Sequence, residues 1–302
     1  MIDLHSNDLS GAIKGLDRNV ATTILLILAV IGVCAVGALT FGASRWQRKT
    51  NDIRARMQAA NLPVTLGRYS EREIVGLPPL VRQYFRAVLQ DGQAIVSGAR
   101  LSQEGRFRPD MDEWRPFTAT QFVTTRPPGF DWDARISMAP GVTAYVHDTY
   151  VLGEGMLQVK ALGLFNVADV RGTPEAAQGE LLRYLAESVW YPTALLPSQG
   201  VRWESMDDSN AKATLTNGAT TVALEFCFDS DGLITSFKAT SRCRGVIDGV
   251  PEFAPWNGRF WAYEDRDGLR IPLEGEVAWQ MPAGYSPYCR VRITDINHEF
   301  AR

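Results

Sequence analysis

The densest set of chemically capable side chains lies between residues 183 and 192, in the run Arg183-Tyr184-Leu185-Ala186-Glu187-Ser188-Val189-Trp190-Tyr191-Pro192. Arg183 and Glu187 are four residues apart, so on a helix they meet on one face as an ion pair. Trp190 and Tyr191 add large apolar surfaces with polar tips. Together Arg183, Glu187, Trp190 and Tyr191 read as one side of a ligand-binding site. In that site the guanidinium orients a polar headgroup or carboxylate and the aromatic pair excludes water. The alternative is a helix pinned against an aromatic core. Asp131 and Asp133 flank Trp132 in an alternating segment and share one strand face. Paired carboxylates can do acid–base work, but solvated strand charges are the more ordinary expectation.

Other searches exclude reactions. Gly153-Glu154-Gly155 has no third glycine and no βαβ context, so a dinucleotide site is not expected. The sequence contains neither a phosphate-binding loop nor a nucleophile elbow. With three histidines, His5, His147 and His298, no His-rich metal centre is expected, and His147 reads as an ordinary strand histidine. Asp229-Ser230-Asp231-Gly232 and Asp265-Arg266-Asp267-Gly268 lack the further acidic ligands of a calcium loop and read as turns. No metal or cofactor is expected, and catalytic residues are not assigned. A net charge of −3 gives no reason to expect a nucleic-acid partner.

The elements that position these residues follow from periodicity. Thr173 and Pro174 open a helix that runs to Trp190 before Pro192, with Leu182, Leu185, Ala186 and Val189 as its apolar stripe. Ser70-Glu71-Arg72-Glu73 has the form of a capping box, and Pro79 opens a second helix whose face carries Leu80, Val81, Tyr84, Phe85 and Val88. Short runs rich in Val, Thr, Phe and Tyr predict strands at 95–103, 117–125, 130–138, 143–152, 156–164, 211–216, 221–228, 233–242, 260–264, 270–272, 276–280 and 288–296. Asn217-Gly218 and Asp267-Gly268 mark tight hairpins, so the sheet is antiparallel.

Val20 to Ala43 carries no charge over 24 residues, long enough to cross a bilayer core of roughly 30 Å. Lys14 and Arg18 precede it, whereas Arg45, Arg48, Lys49, Arg54 and Arg56 follow it. That asymmetry favours a single-pass inner-membrane protein with its C-terminal domain in the cytoplasm. Three unspaced cysteines, Cys227, Cys243 and Cys289, point the same way. The predicted organisation is a tail at 1–19, a transmembrane helix at 20–43, a basic juxtamembrane helix or linker at 44–74, and a soluble domain at 75–302. The fold class is α+β: a transmembrane helix, then a curved, mostly antiparallel sheet covered by helices.

The segments Leu77-Pro-Pro-Leu-Val-Arg-Gln-Tyr-Phe, Gly179-Glu-Leu-Leu-Arg-Tyr-Leu-Ala-Glu-Ser-Val-Trp-Tyr-Pro-Thr-Ala-Leu-Leu-Pro and Trp203-Glu resemble a bacterial family of uncharacterised, usually membrane-anchored proteins over about residues 75–300. The element order is also similar, at fold level, to lipoprotein-carrier and related lipid-binding folds. The first resemblance implies no activity. The second implies a curved sheet around an apolar or lipid-like ligand. A hydrolase built on carboxylates and arginines, or a scaffold with neither function, remains the alternative.

Overall fold

In the computed structural model, residues 18–62, 67–108, 113–247 and 249–301 are described. Most of the expected N-terminal tail, with His5, lies outside them, as do residues 63–66 of the expected linker.

Helix α1 spans Arg18–Ala60 without interruption. It is long and apolar enough to cross a membrane, and residues 22–41 of its apolar half are exposed. After a 3-10 turn at Glu71–Ile74 comes α2, Pro79–Val88, which buries Val81, Tyr84, Phe85 and Val88 of the expected stripe and leaves Leu80 half-buried. Ser70 caps the 3-10 turn through the Arg72 N–H, but the Glu73 carboxylate does not return to Ser70. It accepts the Ser198 N–H at 2.7 Å, tying the turn to a distant loop.

Among the described residues the strands join one antiparallel sheet of 13, ordered 6-5-4-3-2-1-13-12-11-10-9-8-7. The first meander is β1 Val96–Phe107, β2 Arg115–Thr125, β3 Pro128–Ala139, β4 Val142–Val151, β5 Glu154–Ala161 and β6 Phe165–Arg171. Helix α3, Pro174–Glu187, then crosses the concave face. The second meander is β7 Arg202–Ser205, β8 Asn210–Asn217, β9 Thr220–Phe228, β10 Ile234–Ile247, β11 Val250–Arg266, β12 Leu269–Met281 and β13 Gly284–Phe300. β13 returns to pair with β1, from Val96 against Phe300 to Phe107 against Cys289. The sheet curls until Asn217 on β8 donates to the Tyr150 hydroxyl on β4 at 3.0 Å. It is a half-barrel wrapped around a helix.

Asp267 and Gly268 both adopt positive φ (53° and 78°) between paired Arg266 and Leu269, as a tight hairpin requires. The other expected hairpin turns one residue later, at Gly218-Ala219, because Asn217 already pairs with Thr220. β6 and β7 were not expected. β6 is a largely exposed edge strand with little apolar alternation, and β7 is only four residues long. The expected pieces 270–272 and 276–280 are one strand, because Pro272 falls within β12 without ending it. The expected helix ends at Glu187 and tightens into a 3-10 turn at Ser188–Trp190, with Thr173 accepting the Ala176 N–H as its cap.

α1 does not stop being structural where its apolar half ends. Its second half lies on the convex face of β2–β5, burying Trp46, Thr50, Ile53 and Met57. Two of the basic residues that follow the apolar run bind the sheet. Arg54 Nε donates to Asp131 Oδ2 at 2.7 Å, and Lys49 Nζ reaches Gln158 Oε1 at 2.5 Å.

Candidate functional site

Strand parity decides what the interior presents. On β3, Phe130, Trp132, Ala134 and Ile136 point to the concave side, and Asp131 and Asp133 to the convex side. Between the concave face and α3 lies a cavity of about 990 Å³. Its wall is mostly apolar, with Phe117, Ile136, Val146, Val159, Trp256 and Val277 among the lining residues. It opens between the hairpin tips at one end of the strands, where Val142, Val167 and Val246 border it.

The end of the cavity against α3 is polar and largely self-paired. Arg183 Nε donates to Glu187 Oε1 at 2.7 Å, and its Nη1 donates to Asp148 Oδ2 at 2.6 Å. Its guanidinium carbon stands 5.0 Å from the Phe130 ring centroid and 4.9 Å from that of Trp132. Burial opposes the Arg183 charge, but Glu187 and Asp148 more than offset it and raise its pKa. From Glu187 a relay continues along the wall. Gln121 Nε2 donates to Glu187 Oε2 (2.6 Å), Gln103 Nε2 to Gln121 Oε1 (2.8 Å), and Trp132 Nε1 to Gln103 Oε1 (2.7 Å).

A second arginine closes the other side. Arg242 donates to the Gly179 carbonyl (3.1 Å) and to Glu180 Oε1 (3.3 Å), and its guanidinium lies 4.4 Å from the Trp256 ring centroid. Burial pushes the Glu180 carboxyl well above the ordinary glutamate range, and the neighbouring Asp148 charge pushes it further. Among the described residues Glu180 Oε2 and Asp148 Oδ1 meet no N–H or O–H donor. A proton held by Glu180 and donated to Asp148 satisfies both. Cys289 also lines the cavity, its thiol pushed up to about 12 by burial and therefore unreactive as a nucleophile.

Of the residues expected to form a site, Arg183, Glu187 and Trp190 line this cavity. Among the described residues Trp190 Nε1 is a buried donor with no partner. Tyr191 is turned into the core, its hydroxyl 3.3 Å from the Tyr184 carbonyl, and does not reach the cavity. The sequence did not reveal Asp148, Glu180, Arg242 or the Gln103–Gln121 relay. Inward parity at Gln103, Gln121 and Asp148 was the available signal, but pairing across 18 to 66 residues leaves no local trace.

Asp131 and Asp133 share one face, as expected, but they are not solvated. They sit beneath α1, 0% and 7% exposed. His147 Nδ1 lies 2.8 Å from Asp131 Oδ1 and its Nε2 lies 3.1 Å from Thr50 Oγ1, while Trp46 stacks on its ring. This order of hydroxyl, imidazole and carboxylate resembles a hydrolytic triad. However, Thr50 is 1% exposed and His147 0%, and the hydroxyl is also 3.0 Å from Asp133 Oδ2. No substrate reaches it, and the cluster fastens the helix. Burial pushes Asp133 up, but the Arg135 hydrogen bond and neighbouring positive charge hold it below the ordinary aspartate range. His298 is likewise structural, bridging the Trp190 carbonyl and Asp267 at 2.9 Å each. Among the described residues no cluster of His, Cys, Asp and Glu suits a metal ion.

Fold and cavity together define a curled antiparallel half-barrel with an internal apolar chamber, carried on a long apolar helix. The chain belongs to a Family of unknown function (DUF6920), whose family model matches residues 75–298. Among curated proteins none matches the sequence. Among solved structures, it is similar to a Vibrio parahaemolyticus domain named as a candidate outer membrane lipoprotein-sorting protein (10% identity, TM-score 0.42, covering 73% of this chain and 91% of that one). It is also similar to a LolA superfamily protein from Nitrosomonas europaea (10% identity, TM-score 0.40, 73% and 92%). A β-barrel-like protein of a domain of unknown function from Brucella abortus shares 8% identity (TM-score 0.27, 70% and 99%). These likenesses concern the backbone arrangement alone.

Proposed function

We propose that this protein is a membrane-anchored binding protein that holds an apolar or lipid-like ligand in the half-barrel. The chamber of about 990 Å³, walled by aliphatic and aromatic side chains, carries this reading. It is at the upper end of the range for small-ligand sites, about 300–1,000 Å³. Arg183, Glu187 and Trp190 form its polar end, with the Trp190 indole N–H offered to an acceptor on the ligand. Tyr191 fixes that end from behind. Val20–Ala43 anchors the protein, and the excess of basic residues after it favours a cytoplasmic domain. Protease added to intact spheroplasts should therefore leave the domain uncut, and its digestion from outside would refute that side.

The ligand is tested with full-length protein in amphipol and a fluorescent polyene fatty acid. Ala144→Trp with Val159→Trp fills the chamber and should abolish the fluorescence gain while the circular dichroism stays native. Equal binding by the filled and unfilled proteins would refute the reading.

One observation favours an enzymatic alternative: Glu180, whose carboxyl burial holds well above the ordinary glutamate range, lies beside Asp148, as a general acid lies beside its partner. Both are tied to arginines, Asp148 to Arg183 and Glu180 to Arg242. The binding reading therefore fits better. Retained ligand turnover in Glu180→Gln would exclude Glu180 as an acid.

A further inference from the structure

α1 fixes the direction in which the chamber opens. Along the convex face it runs from Met57, beside Gly129 at the closed end of β3, to Gly42 at the opposite end. There it meets the β5–β6 turn: a Cβ built on Gly42 would stand 2.8 Å from Leu164 Cδ2 and 3.1 Å from the Leu162 carbonyl. The strand ends on both sides of that turn, Ala161 and Val167, line the chamber. The helix then continues unbroken, so residues 20–41 project beyond the mouth on the side to which the mouth opens. At 1.5 Å per residue the charge-free segment is roughly 36 Å long.

The tips around the mouth are apolar where they face outward. Phe165 and Val250 are 65% and 66% exposed, and Val142, Val167, Val246 and Phe253 are also exposed. They come from three separate hairpins, β3–β4, β5–β6 and β10–β11, and Val142, Val167 and Val246 among them border the chamber itself. A monomeric surface rarely gathers so many without a partner. At this rim the partner is defined by continuity, because an apolar helix of membrane-spanning length leaves the protein there.

The geometry points to a docked mouth: the rim around Val142, Phe165, Val167, Val246, Val250 and Phe253 sits in the acyl–headgroup layer of the bilayer that holds α1, and the chamber exchanges its ligand directly with that leaflet. The ligand is then a membrane lipid, or an acyl chain of one, that never crosses water. This rests on the binding and anchoring proposed above, and it adds the source and the route. The rigid connection matters, because Trp46, Thr50 and Met57 hold the helix against the sheet and leave no flexible linker between anchor and mouth.

The test is photo-crosslinking of full-length protein in vesicles of phosphatidylethanolamine and phosphatidylglycerol doped with a phosphatidylcholine carrying a diazirine in its acyl chain. Adducts are mapped by residue. We expect them at Phe165, Val250 and Phe253 and inside the chamber at Trp132 and Val159. None is expected at Leu152 or Met206, exposed at the opposite end. Val250→Asp with Phe253→Asp should slow chamber labelling at least tenfold from vesicles, yet leave the fatty-acid binding of amphipol-held protein unchanged. Chamber adducts without rim adducts, or an unslowed variant, would overturn the docked mouth and leave the binding reading standing. Rim adducts with an unlabelled chamber would keep the docked mouth and overturn lipid binding.

Discussion

Glu180→Gln tests the electrostatics of the chamber without changing its shape. In the folded protein burial and Asp148 keep the Glu180 carboxyl protonated well above the ordinary glutamate value of 4.5, whereas in the unfolded chain it ionises near that value. Above pH 4.5 the folded state therefore holds a proton that the unfolded state has released. Stability from this group is complete below pH 4.5 and is lost as pH rises towards the point where Glu180 ionises in the fold. The loss is about 1.4 kcal/mol per pH unit over that interval. Glutamine keeps the geometry, accepting from Arg242 through Oε1 and donating to Asp148 through Nε2, but it titrates in neither state. The variant should match wild type near pH 4.5 and gain on it by about 1.4 kcal/mol for each further unit. Urea unfolding in detergent micelles, followed by the fluorescence of the eight tryptophans, measures the difference at half-unit steps from pH 5. A difference that stays flat, or one that grows in favour of wild type, would refute a protonated Glu180.

Three other expectations follow from the same contacts. Trp46→Ala removes a buried indole that stacks on His147 and donates to Asp133 at 2.8 Å, so it should cost about 3–5 kcal/mol and speed hydrogen exchange in residues 46–57. Unchanged exchange there would mean α1 is held by other contacts. Arg183→Met leaves Glu187 and Asp148 without their shared cation and should cost about 3–5 kcal/mol, while also weakening fatty-acid binding. Near-wild-type stability would show that the carboxyls rearrange to neutralise each other. Gly155→Ala puts a Cβ 2.2 Å from the Ala176 carbonyl oxygen, so α3 must shift; a loss of about 1–3 kcal/mol and altered probe affinity are expected in thermal and binding assays.

Several features were decided locally and were therefore legible in the sequence. The Thr173 cap with Pro174 at the first turn sets the start of α3, and Pro79 sets that of α2. Asp267-Gly268 supplies two residues at positive φ and so specifies its hairpin alone. The uncharged run from Val20 to Ala43 needs no tertiary partner to be a helix. Arg183 and Glu187 meet because 3.6 residues make a turn, and parity alone puts Asp131 and Asp133 on one face.

Tertiary structure decided the rest. Whether that face of β3 is wet or dry depends on α1, whose Trp46, Thr50 and Arg54 arrive from 77 to 87 residues away in the chain. The same polar residues that read as a topology signal became a clamp. Closure of β1 on β13 joins segments some 200 residues apart, and only then do the two meanders enclose a chamber. Its polar end joins Asp148, Glu180, Arg183 and Arg242, from β4, α3 and β10. A buried charge is stable only where opposite charges and donors converge on it, and convergence in space leaves no periodicity along the chain. Parity told each strand which way its side chains point; curvature decided what they point at.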